Sequence, residues 1–169
     1  MANIAETIGD YESFLTLIIQ NLESSGIDYS GFNLDHIAFR TITAESYQRK
    51  KSELKEFGTL LREMIIRDRP IAIYKLDEPI TYRNFSIPYL ELISPAVGDN
   101  FSEGLEHSEF VINETLDGFK KRYPNLDFIF KDHKINSELV LKFSNNANIK
   151  FHLKNIGEVV KLQENSGEL

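Results

Sequence analysis

Asp35-His36-Ile37-Ala38-Phe39-Arg40 decides the fold, because its pattern returns as Glu106-His107-Ser108-Glu109-Phe110-Val111, at an offset of 107 minus 36, or 71 residues. Each stretch alternates. Ile37 and Phe39, or Phe110, fall on one face and the histidine on the other, the period of a β-strand. Before the first copy, Tyr11, Phe14, Leu15, Ile18, Ile19 and Leu22 recur at steps of three and four, which predicts an amphipathic helix ending near Gly26. After it, Thr43 is placed to cap a helix running through Tyr47 and Leu54 to Phe57, with Gly58 beyond its end. Strands are then expected over Thr59–Arg67, Pro70–Leu76 and Phe85–Ile93, with turns at Asp68-Arg69-Pro70 and Asp77-Glu78-Pro79.

The second copy opens the same series. Asn113 is positioned to cap a helix carrying Leu116 and Phe119, Tyr123-Pro124 stops it, and strands are expected over Asp127–Lys131, Glu138–Ser144 and Asn148–Leu153. A short helix from Asn155 to about Gln163 follows, Asn155 and Glu158 being spaced as a cap and its partner. The polar tail Glu164–Leu169 is expected to fray. The simplest account is an internal βαβββ duplication. It makes one α+β domain over 1–169: an N-terminal helix within 1–30, modules at 31–95 and 100–154 forming a curved mixed sheet, and a C-terminal helix and tail at 155–169.

Composition narrows what such a domain does. The 19 Lys plus Arg against 26 Asp plus Glu give a net charge of −7, and no basic stretch is present to displace counterions from phosphates, so nucleic acid is not an expected partner. The absence of cysteine removes disulfides, thiolate metal sites and a cysteine nucleophile, leaving histidine and carboxylate as the metal-binding vocabulary. No apolar run approaches the ~18 residues of a membrane span, and Glu6 and Asp10 replace the basic start of a signal peptide. A cytoplasmic protein without membrane partners, monomer or homodimer, is the expectation.

His36 and His107 open the first strand of each half, and Glu91 and His152 lie on the last strand of each half. The alternate positions Ile37, Phe39, Leu90, Leu92, Phe110, Phe151 and Leu153 are apolar and call for a helical cover. The histidine face is then the concave one, and a pseudo-two-fold axis between the halves would gather the four side chains. Three imidazoles and one carboxylate suit Zn, Fe, Ni, Co or Mn as a divalent ion. Glu109 shares the face of His107 and stands ~7 Å further along the strand, the place of a general base for a bound substrate or of an acceptor that fixes a histidine tautomer. Arg40 and Lys75 are candidates for holding a substrate anion. Asp35 and Glu106, by strand parity, point away from their neighbouring histidines and are read as structural. His133, in the charged turn Lys131-Asp132-His133-Lys134, is read as solvated.

The layout resembles the vicinal oxygen chelate superfamily of glyoxalases, bleomycin-resistance proteins and extradiol dioxygenases. More closely, Asp35–Arg40, Arg69–Ile80, Gly104–Glu109 and Ile149–His152 are similar to the YecM family, a bacterial metal-binding branch of it, over about residues 10–160. The resemblance implies one metal ligand on the first and last strand of each module: His36, Glu91, His107 and His152. Glyoxalase-type members carry a carboxylate at the last of these places, so His152 argues against lactoylglutathione lyase activity. Two readings stand at this point. One is a metal-dependent isomerase, epimerase, lyase or dioxygenase acting on a small molecule that chelates the ion through its oxygens. The other is a protein that only binds the metal or a small ligand.

Overall fold

The computed structural model of the chain describes residues 3–98 and 100–166. Two helices come first, α1 (Ile4–Ile8) and α2 (Tyr11–Ser24). The first module is β1 (Asn33–Arg40), α3 (Ala44–Glu53), β2 (Gly58–Ile66), β3 (Arg69–Tyr82) and β4 (Phe85–Ile93). The second is β5 (Gly104–Val111), α4 (Leu116–Arg122), β6 (Ile129–Lys131), β7 (Glu138–Leu141) and β8 (Asn148–His152), and α5 (Ile156–Ser166) follows. All eight strands form one open curved sheet in the order β2-β3-β4-β1-β5-β8-β7-β6. The modules therefore meet where β1 runs antiparallel to β5, while β1 with β4 and β5 with β8 are parallel.

Local chemistry explains the elements. Asp10 caps α2, its carboxylate accepting from Ser13 N at 2.9 Å, and the apolar stripe Phe14, Leu15, Ile18, Ile19 and Leu22 is buried. Thr43 and Ser46 form a reciprocal capping box on α3. Asn155 and Glu158 do the same for α5, with Glu158 N donating to Asn155 Oδ1 at 2.9 Å and Asn155 N to Glu158 Oε2 at 3.1 Å. Gly58 has no room for a side chain, since a Cβ would stand 2.3 Å from Lys75 O on the neighbouring strand.

The two sheet faces are built differently. Ile37, Phe39, Leu90, Leu92, Phe110 and Phe151 join α2, Tyr47 of α3 and Phe119 of α4 in the main core. Each fully buried side chain of this size contributes roughly 1.5–3 kcal/mol. On the concave face Ala38, Ile71, Ile73 and Ile93 pack against Val160 and Ile156, so α5 lies across the first module's half of the concavity. A cleft lined by residues of both modules remains beside it.

Several expectations about elements require correction. Asp77-Glu78-Pro79 is not a turn: β3 runs through it, and the irregularity between Lys75 and Ile80 in the β3–β4 pairing absorbs the proline. The turns fall at Arg67-Asp68, with φ of 51° and 62°, and at Arg83, with φ 52°. Thr115, not Asn113, caps α4. Leu153 lies past the end of β8 and is exposed. The tail stays helical to Ser166, and residues 167–169 lie outside the described ones.

Candidate metal centre

The central strands bring His36, Glu91, His107, Glu109 and His152 into one buried cluster on the concave face. Ligating atoms of His36, Glu91, His107 and Glu109 all lie within 4.8 Å of one another, and Asp35, His36 and His152 form an overlapping group. Glu109 stands at the middle. Its Oε1 is 3.1 Å from His107 Nε2 and 3.5 Å from His36 Nε2, and its Oε2 is 3.2 Å from His152 Nε2. Glu91 Oε2 is 3.3 Å from His107 Nε2. The ~7 Å separation expected along the backbone between Glu109 and His107 holds for strand positions but not for the carboxylate, which reaches back among the imidazoles.

Two β-bulges orient the first two histidines. In the β1–β5 pairing Leu34 faces Phe110 and His36 faces Glu109, so Asp35 is one residue too many; likewise Ala38 faces His107 and Phe39 faces Leu105, leaving Glu106 extra. The shifts are pseudo-symmetric, and each breaks the alternation so that the carboxylate turns to the side of the histidine that follows it. Asp35 Oδ2 thus lies 3.0 Å from His36 Nδ1, and Glu106 Oε1 3.8 Å from His107 Nδ1. This corrects the structural role read for both carboxylates, because strand parity does not survive a bulge. His152 is anchored by other means: its Nδ1 lies 2.5 Å from Lys154 O and 3.2 Å from Asn136 Nδ2.

The rings of His36 and His152 are therefore fixed through Nδ1, Glu106 stands behind that of His107 at ion-pair distance, and all three turn Nε2 inward. That is the arrangement in which an outer carboxylate or carbonyl sets the tautomer and frees Nε2 for a metal. The inner atoms fit the same group. His36 Nε2, His152 Nε2 and Glu91 Oε2 are buried and have no hydrogen-bond partner among the described residues, a condition that ordinarily costs about 1–3 kcal/mol per group. A divalent ion with nitrogen and oxygen donors would satisfy them.

Charge leads to the same conclusion. The floor carries Asp35, Glu91, Glu106 and Glu109 against the cations of Arg40 and Lys150, a net −2 with neutral imidazoles. Burial pushes the His36 imidazole toward its neutral form, but the Glu109 and Asp35 carboxylates outweigh it and hold the pKa well above the ordinary value. His107, opposed by burial and Lys150, is still raised to about 9 by Glu106, Glu109 and Glu91. Burial works to raise Glu109 and Glu91, yet Lys150 and His36 hold the first well below the usual carboxylate range, and His107 lowers the second. The site thus draws positive charge to its centre.

Register shows which positions correspond. His36 pairs with Tyr89 and Ala38 with Glu91; His107 pairs with Asn148 and Glu109 with Lys150. The counterpart of Glu91 is therefore Lys150, and that of Ile93 is His152, so the matching places assigned to Glu91 and His152 are two residues out of step along the concave face. Lys150 Nζ donates to Glu109 Oε1 at 2.6 Å and lies 3.6 Å from Glu138 Oε2. The sequence reading passed over Lys150, although its place two residues before His152 was the available signal.

The two anion-holding candidates fare differently from expectation. Arg40 is buried, donates from Nε to Glu106 Oε2 and sits 4.5 Å from the Phe101 ring centroid, so it braces the carboxylate behind His107. Lys75 is exposed on β3 and does not line the cleft. The cleft, about 450 Å³, opens above the cluster; Met64, Ile71, Ile73 and Val160 line one wall, and Lys131, His133, Lys134 and Asn136 the other.

A family model described as YecM protein matches residues 3–166. The chain belongs to the YecM family. Protein YecM of Escherichia coli is 27% identical over 109 residues, covering 64% of this chain and 58% of that protein. An uncharacterized protein of Haemophilus influenzae is 28% identical over 116 residues, or 66% of this chain and 61% of that one. The matched part thus spans about three-fifths of these curated relatives. The solved structure of Structural Genomics, Protein EC4020, superposes with a TM-score of 0.81 at 24% identity, covering 96% of this chain and 97% of that one. That structure shares the fold described here. Among the described residues, no helix is long and apolar enough to cross a membrane.

Proposed function

We propose that the chain holds one divalent metal ion and uses it, as a vicinal oxygen chelate protein, on a small substrate that binds through its oxygens, with isomerase, epimerase, lyase or dioxygenase chemistry. One observation carries the reading: three imidazoles turn Nε2 toward shared carboxylates, two of them anchored through Nδ1, and the inner nitrogens of those two make no hydrogen bond among the described residues. His36, Glu91 and His107 are the proposed core of the ligand set, completed by Glu109 and His152. Glu109, rather than a base standing apart, is taken as a donor, with His152 beside its second oxygen. When bound, the ion supplies Lewis acidity and a template for adjacent substrate oxygens. The protein's own contribution is orientation: Asp35, Glu106 with Arg40, and Asn136 with Lys154 O hold the three rings, and Lys150 holds Glu109 Oε1.

Metal analysis of tag-free protein and of its Glu109→Gln variant tests this. The expected result is one equivalent in the wild type and at least a tenfold weaker affinity in the variant. A variant that keeps full affinity but loses turnover on a hydroxy, keto or diol acid would return Glu109 to the role of proton carrier. A second reading, a binding protein without turnover, is favoured by Lys150, whose ammonium already gives the cluster a resident cation. A screen in which compounds bind the metal-loaded protein but none is converted supports that alternative.

A further inference from the structure

Because the pseudo-symmetric counterpart of Glu91 is Lys150, a carboxylate in the first module is answered at the same place by an ammonium in the second. Both side chains line the cleft. Lys150 Nζ donates to Glu109 Oε1 at 2.6 Å, the oxygen that also lies 3.1 Å from His107 Nε2 and 3.5 Å from His36 Nε2. Its other carboxylate neighbour, Glu138 Oε2, stands at 3.6 Å, within ion-pair range but too far for a hydrogen bond. An ammonium carries three donors, and among the described residues Lys150 spends one of them. Its side chain keeps 18% of its surface exposed, which lets a molecule entering the cleft touch it. The acids around it have partners of their own: Arg40 donates to Glu106, and Lys131 lies 3.0 Å from Glu138 Oε1. Asp35 stands behind His36 and does not line the cleft.

Resting on the proposed metal-binding function, we infer that Lys150 sets ligand specificity: its ammonium takes one carboxylate oxygen of an α-hydroxy or α-keto acid whose other oxygens chelate the ion. With the ion in place, Glu109 Oε1 is shared between metal and ammonium, and an incoming carboxylate relieves that competition. The pair it forms with Lys150 is a charge-assisted hydrogen bond in a concave site away from bulk water, where such bonds are strongest. A neutral diol chelates the ion equally well but offers Lys150 no charge. The opposing account makes Lys150 a counter-ion for Glu109 and nothing more. That role acts through the metal donor alone, so its loss would touch every ligand of the ion alike, whereas a direct contact is felt only by the ligand that makes it.

The test titrates lactate, an anionic chelator, and imidazole, a neutral metal ligand, by calorimetry into protein saturated with zinc. In Lys150→Met the Kd for lactate is expected to rise about tenfold or more relative to that for imidazole, the size of one charge-assisted hydrogen bond. Lys150→Arg, which restores a cation, is expected to recover most of the difference. Reading both probes at saturating zinc removes any change in metal affinity from the ratio. Parallel losses for both probes, or a ratio unchanged in Lys150→Met, would overturn the inference. Should Lys150→Met fail to fold or to load, a crystal structure of the unsubstituted protein with zinc and lactate decides. A hydrogen bond from Lys150 Nζ to the lactate carboxylate is expected there, and lactate held away from Lys150 overturns the inference. Zinc titration without any probe reports on the metal-binding function itself: its failure removes that function and the inference with it, whereas zinc binding with an unchanged lactate-to-imidazole ratio removes the inference alone.

Discussion

Asp35 and Glu106 each stand one residue before a histidine, and their contribution depends on a single extra residue in a strand. Because each carboxylate lies against an Nδ1 rather than at the centre of the cluster, its removal should weaken the metal without destroying the site. Asp35→Asn and Glu106→Gln are expected to lower metal affinity about 10–100-fold with unchanged circular dichroism. An affinity equal to wild type would show that the bulges play no part in binding. The titration of His107 gives a second outcome at this scale. Its folded pKa of about 9 lies above the ordinary 6.5, so it contributes stability that is complete below pH ~6.5 and lost as pH rises through about 9. Glu91 and Glu109, held low, contribute stability that is lost only on the acid side. Thermal melts in chelator should therefore show a midpoint falling between pH 6.5 and 9. With metal present the trend should reverse, since ligation needs the unprotonated ring. A metal-free midpoint that climbs over that interval would contradict the charge assignment.

Strands and helices were legible where periodicity was clean. The α2 stripe, the histidine strands, the cap pair of α5 and the order of the βαβββ elements all follow from spacing, because burial on one face imposes the period. What escaped the reading were places where one residue breaks a rule: the bulges at Asp35 and Glu106, and Pro79 inside β3. A bulge leaves no compositional mark, and a proline is read as a turn unless the partner strand is known to yield around it. α5 offers a test of packing at this scale. A Cβ on Gly157 would stand 2.3 Å from Tyr89 Oη, so the helix approaches β4 more closely than any other residue there would allow. Although alanine is ordinarily better than glycine in a helix by roughly 0.8–1 kcal/mol, Gly157→Ala is expected to lower the thermal midpoint. Adding Tyr89→Phe, which removes the obstructing oxygen, should recover part of the loss. A midpoint raised by Gly157→Ala would mean that α5 is not seated on Tyr89.

Across the whole molecule, duplication places two histidine strands side by side, and divergence between the copies makes the site. His36 and His107 were visible as a repeat, and Glu91 followed from its strand. The correspondence of Glu91 with Lys150 depends on register between strands far apart in the chain, which no local pattern records. Nor did the sequence reveal that α5 lies across the first module's half of the concavity, an arrangement that arises only when Val160 and Ile156 meet Ile71, Ile73 and Ile93. The central claim is that this asymmetric concavity holds one divalent ion through imidazoles that must give up protons. Calorimetric titration of zinc into tag-free, metal-free protein at pH 7.5, repeated in buffers of different ionisation enthalpy, tests it most directly. Saturation at one equivalent per chain with net proton release is expected, both abolished in His107→Ala. Absence of saturable binding, or binding that neither releases protons nor responds to His107→Ala, would contradict it.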